Sequence, residues 1–116
     1  MPEANKTYCN PLPLPDYPRG ILPGIGEVRE YRDASDPSVI LFRGKWYMFA
    51  SGHLAYETED FSEWRHVRVE PERIGFAPSV VYHGGAFLLT ASAVASPRGL
   101  TELYISGSPT GPYKCM

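Results

Sequence analysis

Two stretches of this chain, 36–51 and 77–92, repeat one pattern, and that repeat limits the fold more than any other feature. Asp36-Pro37-Ser38-Val39 aligns with Ala77-Pro78-Ser79-Val80 at an offset of 41 residues. At the same offset Gly44 falls on Gly85, Trp46 on Phe87, Tyr47 on Leu88 and Ser51 on Ser92. A period of about forty residues is that of a four-stranded propeller blade.

Within each copy the residues predict strands. Ser38–Phe42 is rich in β-branched and apolar residues, meets a turn at Arg43-Gly44-Lys45, and continues as a second run over Trp46–Ser51, which reads as a β-hairpin. A third strand fits Leu54–Thr58 and a fourth Trp64–Val69, with Glu59–Glu63 as the turn between them. In the second copy a loop through Ala95–Gly99 precedes a third strand at Thr101–Ser106, where Tyr104 matches Tyr56. Val39–Phe42 and Ala86–Leu89 are apolar without strict alternation, so both faces of these strands should be covered. Stacked propeller blades provide that cover, and a two-sheet sandwich is the alternative. The expectation is an all-β chain: an extended leader over 1–35, one four-stranded antiparallel blade over 36–76 and a second over 77–116.

The leader owes its extended form to Pro11, Pro13, Pro15, Pro18 and Pro23, with Gly20 and Gly24 among them, which forbid a helix. Charge is nearly balanced, with 11 Lys plus Arg against 13 Asp plus Glu. The basic residues are scattered, which argues against a nucleic-acid partner and against a membrane surface. The first six residues hold no basic segment followed by an apolar run, so the expected location is cytoplasmic. Cys9 and Cys115 stand near opposite ends, outside any CxxC pair, which argues against a zinc site and for two free thiols. No G-x-S-x-G elbow and no H-E-x-x-H motif is present, and Gly24-Ile25-Gly26 lacks a following helix to serve as a phosphate loop.

Asp36-Pro37-Ser38-Val39, followed by a Gly turn and Trp46-Tyr47-Met48-Phe49, resembles the first-blade motif of family 43 glycoside hydrolases, which are five-bladed propellers. Glu59-Asp60-Phe61-Ser62-Glu63-Trp64 looks like that family's recurrent turn before a Trp, Gly75-Phe76-Ala77-Pro78-Ser79-Val80 like its second-blade opening, and Asn10-Pro11-Leu12-Pro13 like its leader. The resemblance spans most of residues 9–113 in the correct order. It implies an inverting hydrolase of arabinosyl or xylosyl linkages, with Asp36 as general base and Phe76 facing the sugar. The family's pKa-tuning Asp and general-acid Glu come from later blades, and the 116 residues contain no counterpart to either. The expected role of this chain is therefore to supply the base alone, and the chain by itself is expected to be inactive.

An inverting glycosidase needs two carboxyl groups roughly 6.5–9.5 Å apart around the attacking water, and the base must be ionised. Asp36 is the candidate, although an Asp before Pro is also an ordinary turn residue. The second copy carries Ala77 in its place, so a carboxylate is not needed to build the blade. Asp33 is the competing acidic residue and His53 a further candidate for contact with substrate, although a lone His is more often structural. Phe76 serves equally well as a sugar platform or as an inter-blade core aromatic. His66, His83, Trp46 and Trp64 read as structural. No cofactor is called for, while the resemblance leaves room for a structural metal ion at the propeller centre. The partner implied is a carbohydrate, with self-association through exposed blade faces. The alternative to an enzyme is a non-catalytic carbohydrate-binding or structural two-blade fragment.

Overall fold

A computed structural model of the chain describes residues 12–15, 36–51, 54–70, 75–92 and 101–116. These residues form eight strands and no helix: β1 (Ser38–Phe42), β2 (Lys45–Ala50), β3 (Leu54–Thr58), β4 (Trp64–Arg68), β5 (Phe76–His83), β6 (Ala86–Ser92), β7 (Thr101–Ser106) and β8 (Lys114–Cys115). They make two four-stranded antiparallel meanders, β1-β2-β3-β4 and β5-β6-β7-β8. The all-β class and the two four-stranded sheets are as the repeat predicts. Most of the Pro-rich leader lies outside the described residues.

Both first hairpins turn in two residues with positive φ, Arg43 (φ 50°) and Gly44 (φ 78°) in one, Gly84 (φ 60°) and Gly85 (φ 81°) in the other. Such turns match the right-handed twist of the flanking strands. The tight turn draws Lys45 into β2, opposite Phe42, so the strand begins one residue earlier than the sequence suggests.

Each sheet has an inward face set by alternation. Tyr47, Phe49 and Ala55 of the first sheet, together with Val69, pack against Val80, Phe87, Leu89, Ala91 and Tyr104 of the second and Tyr113 beyond it, with Ile40, Phe42 and Val67 at the margin. Rings interlock at one end of this core, where Phe42 meets Phe87 edge-on at 4.7 Å and Tyr82 at 4.9 Å. Among the strands, the Cα traces of the two sheets approach within 8 Å only where β1 or β2 meets β5. The sheets thus converge at their first strands, which is the arrangement of wedges about an axis.

Two hydroxyls cross the convergent edge: Ser38 Oγ accepts from the Val80 N–H at 3.1 Å and Ser51 Oγ from the Ala77 N–H at 2.8 Å. Past β4, the Glu70 N–H donates to Thr110 O at 3.1 Å, and Glu70 O accepts from the Tyr113 N–H at 2.7 Å. Gly111 lets the backbones come this close: a Cβ there would stand 2.5 Å from Glu70 O, and its φ is 95°. The far face of the first sheet buries Met48, Ala50, Leu54, Tyr56 and Trp64 beneath Leu12, Leu14 and Phe61.

Candidate active site

The site begins with a strand register. Ser38 pairs with Phe49, so two residues further out Asp36 stands across from Ser51 at the open end of the first hairpin. The Ser51 hydroxyl donates to Asp36 Oδ2 at 3.2 Å and accepts from the Ala77 N–H. One hydroxyl therefore links the carboxylate of the first repeat to the backbone that opens the second. Asp36 is exposed and Ser51 partly buried.

Asp36 (φ 53°) and Ala77 (φ 49°) share a positive φ before their prolines, so the repeat extends to backbone conformation. Asp adopts this region more readily than most residues, because its short polar side chain can bond locally. In β5 the register shifts between Phe76 and Ser79, a bulge at Ala77-Pro78 that accommodates this conformation. Phe76, half-buried, pairs with Ser92 at the same end of the sheet. The structure thus brings Asp36 beside the start of β5, the segment that carries Phe76. Asp33 and His53 lie outside the described residues.

Of the residues read as structural, Trp64 is buried and donates its indole N–H to Phe61 O at 3.0 Å. Trp46 is partly buried with its ring edge toward Phe61 at 5.2 Å. His66 lies on β4 with its ring edge toward Tyr56, 5.7 Å between centroids, and burial followed by the nearby Arg68 charge lowers its pKa below the ordinary 6.5. Cys115 is a free, exposed thiol.

Ser51 has no role legible from the sequence alone. Its recurrence as Ser92 marked it as a repeat position, but the bond to Asp36 depends on hairpin register and the bond to Ala77 on how the sheets stack. A separate open cleft of about 450 Å³ lies at the other end of β1, lined by Phe42, Arg43, Lys45, Glu57, Arg68 and Thr110 among others. At strand rise it is roughly 20 Å from Asp36. Its charges largely answer one another: Glu57 pairs with Arg65 at 2.9 Å and Lys45 at 3.9 Å, and Arg43 lies over the Phe42 ring. Among the described residues no group of three or more His, Cys, Asp or Glu side chains could hold a metal ion.

No family model matches the chain, and no curated protein matches it. Solved structures do match. A thermostable family-43 glycoside hydrolase aligns with a TM-score of 0.62 and 22% identity over 72% of this chain and 32% of its own. An endo-1,5-α-L-arabinanase from Thermotoga petrophila aligns with a TM-score of 0.62 and 21% identity over 74% of this chain and 25% of its own. An exo-β-1,3-galactanase from Phanerochaete chrysosporium aligns with a TM-score of 0.57 and 12% identity over 73% of this chain and 26% of its own. At these identities the likeness is one of fold: the two sheets have the fold of part of a family-43 propeller. The chain spans about a third or less of the length of these structures.

Proposed function

We propose that this chain forms two blades of a glycoside hydrolase that cleaves O-glycosidic bonds with inversion, and that Asp36 is its general base. The observation that carries this reading is the position of the Asp36 carboxylate, exposed at the edge where the sheets converge and held there by Ser51. A carboxylate so placed stands where adjoining wedges would enclose a pocket. It could take a proton from a water poised opposite the leaving group. The general acid would come from outside these two blades, and Phe76 would offer a partly exposed ring to the apolar face of a sugar. The solved structures of similar fold include an arabinanase and a galactanase, which supports a polysaccharide substrate and leaves arabinosyl, xylosyl and galactosyl units as the candidates to compare.

The second reading, a non-catalytic carbohydrate-binding unit, draws on one observation: the hydrogen bond described for the Asp36 carboxylate comes from a serine rather than from a second carboxyl group. One experiment tests both readings. Arabino-, xylo- and galacto-oligosaccharides are titrated into the labelled chain, and its turnover of aryl arabinofuranosides and xylosides is measured alongside. Amide shifts confined to Asp36, Ser51, Phe76 and Ala77, with turnover at or near zero, fit two blades of a larger site. Robust turnover abolished by Asp36→Asn would establish a complete site and retain Asp36 as base. Turnover indifferent to that substitution removes Asp36 from the chemistry, and absence of sugar shifts at these amides sinks both readings.

A further inference from the structure

We infer that Ser51 is a positioning residue for Asp36, a relay that fixes the carboxylate relative to the second sheet. This inference rests on the reading of Asp36 as the base, and its geometry comes from two bonds. Ser51 Oγ accepts a hydrogen bond from the Ala77 N–H at 2.8 Å, and that bond orients the hydroxyl. Its own proton then points to Asp36 Oδ2 at 3.2 Å. A serine hydroxyl has one donor and two acceptor sites, so both bonds form together without competition.

The repeat separates this role from simple blade building. Ser92 occupies the corresponding place in the second copy, where Ala77 replaces Asp36. A serine at the end of the second strand therefore recurs where no carboxylate is present, and in the first copy it latches to the Ala77 backbone. In the first copy the same latch acquires a second task. An exposed Asp before a proline, with rotatable χ angles, would sample several orientations, whereas a donor on one oxygen selects one of them. With Oδ2 held, Oδ1 is the oxygen that meets the water.

The two bonds make an observable prediction. Protonation of Asp36 weakens its hold on the Ser51 hydroxyl, and the change passes to the Ala77 amide. In the intact chain the Ala77 amide resonance should show a titration step at the midpoint read directly from the Asp36 carboxyl carbon. That step should vanish in Asp36→Asn, vanish in Ser51→Ala and persist in Ser51→Thr, which keeps the hydroxyl. Should Ser51→Ala fail to fold, Ser51→Cys keeps the volume, loses the strong donor and carries the comparison. An Ala77 step that survives loss of the hydroxyl, or that is absent from the wild-type chain, overturns the relay. No sugar is involved, so the outcomes stay distinct: an intact relay without sugar shifts at Asp36 fails the functional reading alone. Sugar shifts without a relay fail Ser51 alone.

Discussion

Single residues in this chain show how position rather than type decides chemistry. His66 is the clearest pH-dependent case. Packed against Tyr56 on β4, it resists protonation because burial removes water from the imidazolium, with Arg68 adding a like charge. Its folded pKa lies below the ordinary 6.5, so the unfolded chain takes up a proton that the folded chain refuses. The sign follows from linkage: this contribution to stability is complete above 6.5, falls as pH drops from there toward the folded midpoint, and levels off beneath it. Urea midpoints measured at about pH 7.5 and about pH 5.5 should therefore fall on acidification, and His66→Gln should flatten that part of the slope. An unchanged slope in the variant would assign the effect elsewhere.

Among the elements, the β3–β4 turn is held by a dense set of its own hydrogen bonds. Thr58 Oγ1 donates to Glu63 O at 2.7 Å and accepts from the Phe61 N–H at 3.0 Å. Asp60 Oδ1 accepts from the Ser62 and Glu63 N–H groups at 2.8 and 2.9 Å, and those backbone bonds lower its pKa, Glu63 first. The turn then directs the indole of Trp64 onto Phe61 O. Thr58→Val keeps shape and volume but removes the hydroxyl that bonds the Glu63 carbonyl and the Phe61 amide, on a side chain only 1% exposed. It should cost about 0.5–1.5 kcal/mol, read as a lower denaturant midpoint with unchanged m-value. A loss within experimental scatter would mean that the Asp60 bonds alone secure the turn.

This turn also marks the limit of what the sequence discloses. The order acidic, apolar, polar, acidic, Trp was visible in Asp60–Trp64, and the strands β1, β3 and β7 were readable to the residue, because short runs of apolar, aromatic and β-branched residues between turn residues fix them locally. The hydroxyl that organises the turn was not readable, since Thr58 reads as one more β-former. The site divides the same way. Asp36 stood out because the second copy has Ala77 in its place. Ser51 did not, because its partners are fifteen and twenty-six residues away and meet it only through register and sheet stacking.

For the molecule as a whole, the repeat that builds the inter-sheet core also leaves a matching surface open. The first-sheet face that covers the second sheet carries Ser38, Ile40, Tyr47, Phe49 and Ser51. At the same offset the outward face of the second sheet carries Ser79, Val81, Leu88, Thr90 and Ser92, joined by Leu103 and Ile105 on β7. Val81 is 51% exposed and Leu103 38%. An apolar sheet face flanked by two serine hydroxyls, each corresponding to one that accepts a backbone N–H in the first copy, should receive another sheet of the same kind. A second copy of the chain offers such a sheet, joined head to tail, and because that contact does not use the same patch twice it can continue rather than close. The purified chain should therefore sediment as a concentration-dependent series of oligomers. Leu103→Glu or Val81→Lys, each placing a charge on the open face without touching the inter-sheet core, should shift the population to monomer while leaving the circular dichroism spectrum unchanged. A wild-type chain that remains monomeric up to its solubility limit would show that this face needs no partner.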